Sequence, residues 1–193
     1  MAELNLPVDE AAIRKLEVGD YVELSGRMIT GRDAAHKWLI ESFREEVAPY
    51  LENTIIYHCG PVVRQHDDGS WSFVAAGPTT SIREEPYQAD VICRYGLRGV
   101  IGKGGMGPKT LEGLGRCGAV YLHAVGGAAQ VLARSVKRVE RVFMLEEFGV
   151  PEALWVIHVE RFPVMVTMDS HGRSLHETVE KSSKERLKQL IGA

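Results

Sequence analysis

Nothing in this 193-residue sequence approaches the roughly 20 consecutive apolar residues that a bilayer-spanning helix needs. The opening MAELNLPVDE also lacks the basic, then apolar, then small-residue order of a secretory leader. A soluble, cytoplasmic protein is therefore expected. An excess of positive charge is missing too. Lys and Arg number 23 against 26 Asp and Glu, for a net charge of −3, and the cations are scattered. Neither nucleic acid nor an anionic membrane is expected as a partner. Cysteine is scarce: Cys59, Cys93 and Cys117 form no C-x-x-C, so closely spaced metal ligands and a redox dithiol are excluded. Each thiol reads first as a small buried hydrophobe, although three thiols still leave a cluster open. No internal repeat, low-complexity tract or linker appears, and the length suits one domain over residues 1–193, with 1–12 as a polar leader and 174–193 as a charged helical tail.

What is present is alternation. YVELSGRMITG reads as a strand, and RDAAHKWLIESFREEVAP places Ala35, Trp38, Leu39, Phe43 and Val47 at helical spacing up to Pro49. TIIYHCGPVV and WSFVAAGPTT read as strands around the turn-rich RQHDDGS, and EEPYQADVICRY as a helix stopped by Gly96. GVIGKGG (strand into loop), PKTLEGLGRCG (helix), AVYLHAVGG (strand into loop) and AAQVLARSVKRVE (helix) follow. The alternation predicts an α/β fold with a parallel core, and the earlier hairpin around RQHDDGS and the later ALWVIHVERFPVMVTMD add strands, placed in a second sheet.

In such folds ligands gather beyond the carboxyl ends of the strands, where loops enter helices. Three of these loops carry a cation: TGRDAAH has Arg32, AAGPTTSIRE has Thr79, Thr80 and Arg83, and VIGKGGMG has Lys103; HAVGGAA is an uncharged fourth. Glycines, helix-start N–H groups and a guanidinium fork together make a site for an anion with more than one negative group. Gly102, Gly104 and Gly107 formally spell G-x-G-x-x-G, but Gly113 to Val139 contains no Asp or Glu to take a ribose, which weakens a dinucleotide reading. The Walker pattern fails because Lys103 precedes most of its glycines.

GRDAAH, GPTTSIR, GVIGKGG and VYLHAVGGAA, in this order, resemble the β subunit, or C-terminal domain, of the iron–sulfur hydro-lyases that comprise class I fumarases and L-tartrate dehydratases. The resemblance runs from about Leu16 to Arg173. It implies a swivelling β/β/α domain in three layers. It also implies Thr79 as the base that takes a proton from substrate carbon, and Arg32, Arg83 and Lys103 as ligands of the two carboxylates of a C4 dicarboxylate. His36, Thr80 and Gly104 stand beside these positions as supporting residues. The implied [4Fe-4S] cluster belongs to a separate α subunit, so the implied assembly is a hetero-oligomer and none of the three cysteines here need be a metal ligand. The implied reaction is hydration of fumarate to malate; L-tartrate dehydration, or dicarboxylate binding without chemistry, are the alternatives. Family members commonly read GPTTSGRMD, so Ile82 stands for a glycine and Glu84 for a methionine.

On residue chemistry alone, Thr79 is a turn residue, since a hydroxyl with an ordinary pKa far above 7 needs cations nearby to act as a base. Arg32, Arg83 and Lys103 read as ligand residues because they share glycine-containing loops. His36 is placed near a helix start, and His58 and His123 read as satisfied core histidines.

Overall fold

The computed structural model describes residues 2–192. Among the described residues nine strands are formed: β1 (Ala2–Leu6), β2 (Tyr21–Thr30), β3 (Ile55–Tyr57), β4 (Val62–Gln65), β5 (Trp71–Ala75), β6 (Gly99–Gly102), β7 (Val120–His123), β8 (Val136–Phe143) and β9 (Leu154–Met168). The helices are α1 (Glu10–Ile13), α2 (Asp33–Glu41), α3 (Ala48–Leu51), α4 (Glu85–Tyr95), α5 (Pro108–Cys117), α6 (Ala129–Ser135), α7 (Leu145–Phe148) and α8 (Leu175–Ile191), with a 3-10 turn at Ser81–Glu84 before α4.

Strands β2, β3, β6 and β7 pair in parallel. The long β9 runs antiparallel to both β7 and β2 and so closes the sheet into a barrel. β1 extends β2, β8 flanks β9, and β4 and β5 form a separate two-stranded sheet. The α/β class, the parallel core and the second small sheet match the sequence reading. β9 belongs to the main sheet and not to a second one.

Alternation along each strand separates two cores. Ile55, Tyr57, Ile101, Val120, Leu122, Trp155 and Ile157 point into one cluster, while Ile56, Val100, Tyr121 and Val156 join Leu39, Val91 and Leu114 from α2, α4 and α5 in the other. Both faces of the parallel strands are thus buried, which explains their unbroken apolar runs.

Four local expectations are corrected. The helix expected up to Pro49 stops at Glu41, and Pro49 lies in the first turn of α3, where its missing N–H costs nothing. TIIYHCGPVV is two strands, β3 and β4, broken at His58–Pro61. AAQVLARSVKRVE is helical only to Ser135. The β-branched alternation from Val136 wins as β8 because β9 offers a pairing edge. Residues 2–6 of the expected leader form β1 and pair with β2. Cys93 and Cys117 are joined in a disulfide that ties α4 to α5, a pairing that their spacing did not signal, and Cys59 is buried and free.

Candidate active site

Parallel pairing sends the chain segments after β2, β3, β6 and β7 to one end of the sheet. Past β3 and β6, two neighbouring strands separate, and the segment after β5 fills the gap. Thr79 N–H donates to the His58 carbonyl at 2.8 Å, Ser81 N–H to the Lys103 carbonyl at 3.1 Å, and Lys103 N–H to the Thr79 carbonyl at 3.3 Å. Bridges Cys59–Pro78 and Thr80–Lys103 complete the wedge. The GPTT segment therefore reaches the site from the small hairpin sheet and is stitched between parallel strands. It is not a strand-to-helix loop of the core.

Of the four expected residues, Thr79 and Arg83 touch through their side chains, Lys103 joins them through the backbone of the wedge, and Arg32 stands at the start of α2. Arg83 Nη2 donates to Thr79 Oγ1 at 3.0 Å, a charge-assisted bond that favours the anionic form of the hydroxyl. Arg83 Nε lies 3.6 Å from Asp33 Oδ1, which links the 3-10 turn to the start of α2. Arg32 Nε lies 3.3 Å from Glu152 Oε1, while Glu152 Oε2 accepts from the Ala34 N–H and so caps α2. A side chain at Gly60 would collide with the Arg32 guanidinium. Lys103 has no ion-pair partner among the described residues, and its Cδ packs beside Gly126 of the uncharged fourth loop. Three cations against two carboxylates leave room for an anion, and Lys103 carries the uncompensated charge.

The supporting residues sort by depth. Thr80 and Gly104 are exposed at the rim, with Gly104 at φ +83° beside the Thr80 methyl. His36 is fully buried. Its Nδ1 donates to the Arg32 carbonyl at 2.9 Å, and its ring meets His58 edge-on at 5.0 Å. His58 Nδ1 accepts from Ser81 Oγ at 2.8 Å, and its Nε2 donates to Gln88 Oε1 at 2.7 Å. Tyr121 Oη donates to Ser81 Oγ at 2.9 Å. Burial holds both imidazoles below their ordinary pKa, His58 furthest, so both are neutral. This buried chain ties β3, β7, α4 and the start of α2 together under the wedge. Gly102 is a glycine for that reason. A Cβ there would overlap Ser81 Oγ and lie 3.0 Å from Tyr121 Oη and 3.2 Å from His58 Nδ1.

His58 is the satisfied core histidine expected. His123 is half-buried with Nδ1 unpartnered, and burial lowers its pKa. Sequence reasoning missed Glu152, Gln88 and Tyr121, which stand outside the quoted cation-bearing loops, and it assigned no role to Ser81, which lies inside one of them. Only proximity in the fold identifies them. Ile82 and Glu84 face opposite ways on the 3-10 turn, Ile82 into solvent and Glu84 fully buried. Among the described residues no group of three or more His, Cys, Asp or Glu side chains is placed to hold a metal ion, so an iron–sulfur cluster does not fit this chain's own donor set. Two of the three thiols are spent on the disulfide, and burial pushes the third, Cys59, up to about 12.

Comparison with known proteins follows the same lines. Residues 1–179 match the family model described as Fumarase C-terminus. A Geobacillus stearothermophilus protein named "Putative fumarate hydratase class I" is 54% identical over 187 residues, which cover 97% of this chain and 36% of that protein. "Putative L(+)-tartrate dehydratase subunit beta" of Methanocaldococcus jannaschii is 45% identical over 183 residues, 93% of each chain. The L(+)-tartrate dehydratase subunit beta of Escherichia coli K12 is 38% identical over 190 residues, 97% of this chain and 92% of that one. The chain thus spans about a third of the first relative and nearly all of the other two.

Proposed function

The chain belongs to the fumarase C-terminus family, and on that premise we propose that it is the β subunit of a hydro-lyase that adds water to, or removes it from, a C4 dicarboxylate. The observation that carries the reading is the Arg83 guanidinium bonded directly to the Thr79 hydroxyl, in a wedge whose backbone bonds also hold Lys103 and beside the start of α2, where Arg32 stands next to the Asp33 that Arg83 faces. Two carboxylates need at least two cationic seats, and Arg presents the planar fork that a carboxylate fits. Thr79 Oγ1, having released its own proton to solvent to become an alkoxide whose charge Arg83 stabilises, takes the proton from the carbon next to the one bearing hydroxyl and returns to the neutral hydroxyl. Fixing both ends of the diacid puts that carbon within reach.

Fumarate and malate are the first substrate pair in this proposal. L-tartrate is the second, favoured by the names of the two relatives that match this chain end to end. The [4Fe-4S] cluster is assigned to an α subunit, which makes the working enzyme a cytoplasmic hetero-oligomer, and the three-layer β/β/α description belongs to the same proposal. No helix of the described residues is long and apolar enough to cross a membrane.

Anaerobic co-production with the α subunit encoded in the same genome tests the reading. The chain alone is expected to be colourless and without turnover, and the complex to hydrate fumarate or dehydrate L-tartrate. Hydratase turnover by the lone chain after treatment with iron and sulfide would overturn the two-subunit assignment. A complex inert toward fumarate, malate and tartrate would overturn the reaction.

Lys103→Met gives a second measurement. Because Lys103 has no ion pair to lose, the variant should fold normally. KM for the diacid should rise about 10- to 100-fold, the worth of roughly 1.4 to 2.7 kcal/mol for a charge-assisted contact. An unchanged KM removes Lys103 from the site.

A further inference from the structure

Among the described residues, the buried carboxylate oxygens that no donor reaches are Glu84 Oε1, Glu84 Oε2 and Asp33 Oδ1. They belong to one cluster: Glu84 follows Arg83 on the 3-10 turn, Asp33 neighbours it from the start of α2, and Asp33 Oδ1 is also the atom 3.6 Å from Arg83 Nε. An ionised Glu84, fully buried without a donor beside the half-exposed Asp33 carboxylate, would be costly, whereas one proton shared between the two gives the pair a donor. We propose that Glu84 is a positioning residue: its neutral carboxyl donates to Asp33 Oδ1, and the pair, carrying a single negative charge, fixes the Arg83 guanidinium so that Nη2 points at Thr79.

Geometry and environment agree. Glu84 is fully buried on the inner side of the 3-10 turn, directly after Arg83. Burial, and next the neighbouring Asp33 carboxylate, push its pKa up to about 8. The charged and titratable groups around it are Asp33 from α2, Arg83 from its own turn and Tyr121 from β7, with the neutral imidazoles of His36 and His58 beneath. Glu85 is engaged elsewhere, accepting from Gly107 N–H at 2.8 Å and Thr110 Oγ1 at 2.6 Å. Above the Glu84 midpoint the pair gains a second negative charge. Arg83 is then drawn toward the carboxylates, and a diacid meets less free positive charge. That consequence for ligand binding rests on the dicarboxylate reading; the carboxyl pair itself does not.

The decisive measurement needs no substrate. In protein carrying 13Cδ-labelled glutamate, with Glu84 assigned by its loss in Glu84→Gln, the Glu84 carbon should titrate near pH 8. Asp33→Asn should lower the midpoint by more than one pH unit, because the neighbouring charge is lost and a carboxylate acceptor becomes a weaker amide oxygen, and Arg83→Met should raise it. A midpoint near the ordinary 4.5 overturns the shared proton, and one indifferent to Arg83→Met overturns the link to Arg83.

Thermal unfolding gives an independent reading. Between about pH 4.5 and 8 the folded chain keeps a proton on Glu84 that the unfolded chain has released, so stability from this group is lost as pH rises. The Tm advantage of Glu84→Gln over the parent should therefore grow from pH 5 to 8; a constant difference counts against the proposal. In the reconstituted complex, KM should climb about fivefold from pH 7 to 9 and stay within about twofold in Glu84→Gln. Equal pH profiles for the two would overturn the positioning role. If the complex turns over no C4 diacid, the hydro-lyase reading falls while the carbon titration still decides the carboxyl pair.

Discussion

Thr79→Ala should lower kcat of the reconstituted complex by about 100-fold or more, equivalent to roughly 2.7 kcal/mol of lost transition-state stabilisation, while Tm changes by no more than about 2 °C. The physical case rests on two facts. The wedge that places Thr79 is built from backbone bonds to His58 and Lys103, which survive the loss of a hydroxyl. The side chain's own contact is the 3.0 Å bond from Arg83, which eases loss of the hydroxyl proton and so makes the accepting alkoxide form accessible. Removing the oxygen thus removes the acceptor and leaves its scaffold. Thr79→Ser keeps the oxygen and should recover most of the rate, since only a methyl is lost. Stopped-flow or steady-state absorbance at the fumarate band would measure both variants. A kcat within threefold of the parent in Thr79→Ala would assign the proton transfer to another group.

A loss of about 3 kcal/mol in folding stability, seen as a Tm lower by about 6 to 12 °C, is expected of Gly102→Ala. This is the smallest side chain that can be added, yet at this position it overlaps Ser81 Oγ and crowds Tyr121 Oη and His58 Nδ1. Two costs add. Overpacking shifts neighbours that already fill the space, and the displaced serine leaves the fully buried His58 without the hydroxyl that donates to its Nδ1. Because Ser81 follows the GPTT segment and bonds to the Lys103 carbonyl, the variant should also raise KM in the complex. Gly127→Ala serves as a control, since a Cβ there meets nothing within 4 Å, although its φ of +86° carries a modest strain of its own. Calorimetry on the two variants separates them; similar Tm values would show that the network under the wedge is not tightly packed.

The elements whose start and stop signals are local were legible in the sequence. Gly96 ends α4 in a left-handed cap, Pro108 opens α5, and the apolar runs of β6 and β7 are strands because both their faces are buried. The loops with Arg32 and Lys103 were legible for a related reason, since glycine beside Lys or Arg at a strand end is a local pattern, whereas Arg83 stands on a 3-10 turn entered from the hairpin sheet. Where propensity competed with pairing, as at VKRVERVF, the sequence misled, because only the edge offered by β9 makes that segment a strand.

Sequence alone determined the α/β class, the parallel core and the residue types that an anion site requires, since each depends on neighbours within a few positions along the chain. Tertiary structure decided the rest. Closure of the barrel by β9, the entry of Thr79 from a hairpin sheet between β3 and β6, the hold of Glu152 on Arg32 across more than 100 positions, and the burial of Glu84 against Asp33 all join residues far apart in the chain. Their energies come from desolvation and hydrogen-bond geometry, which exist only once the segments have packed.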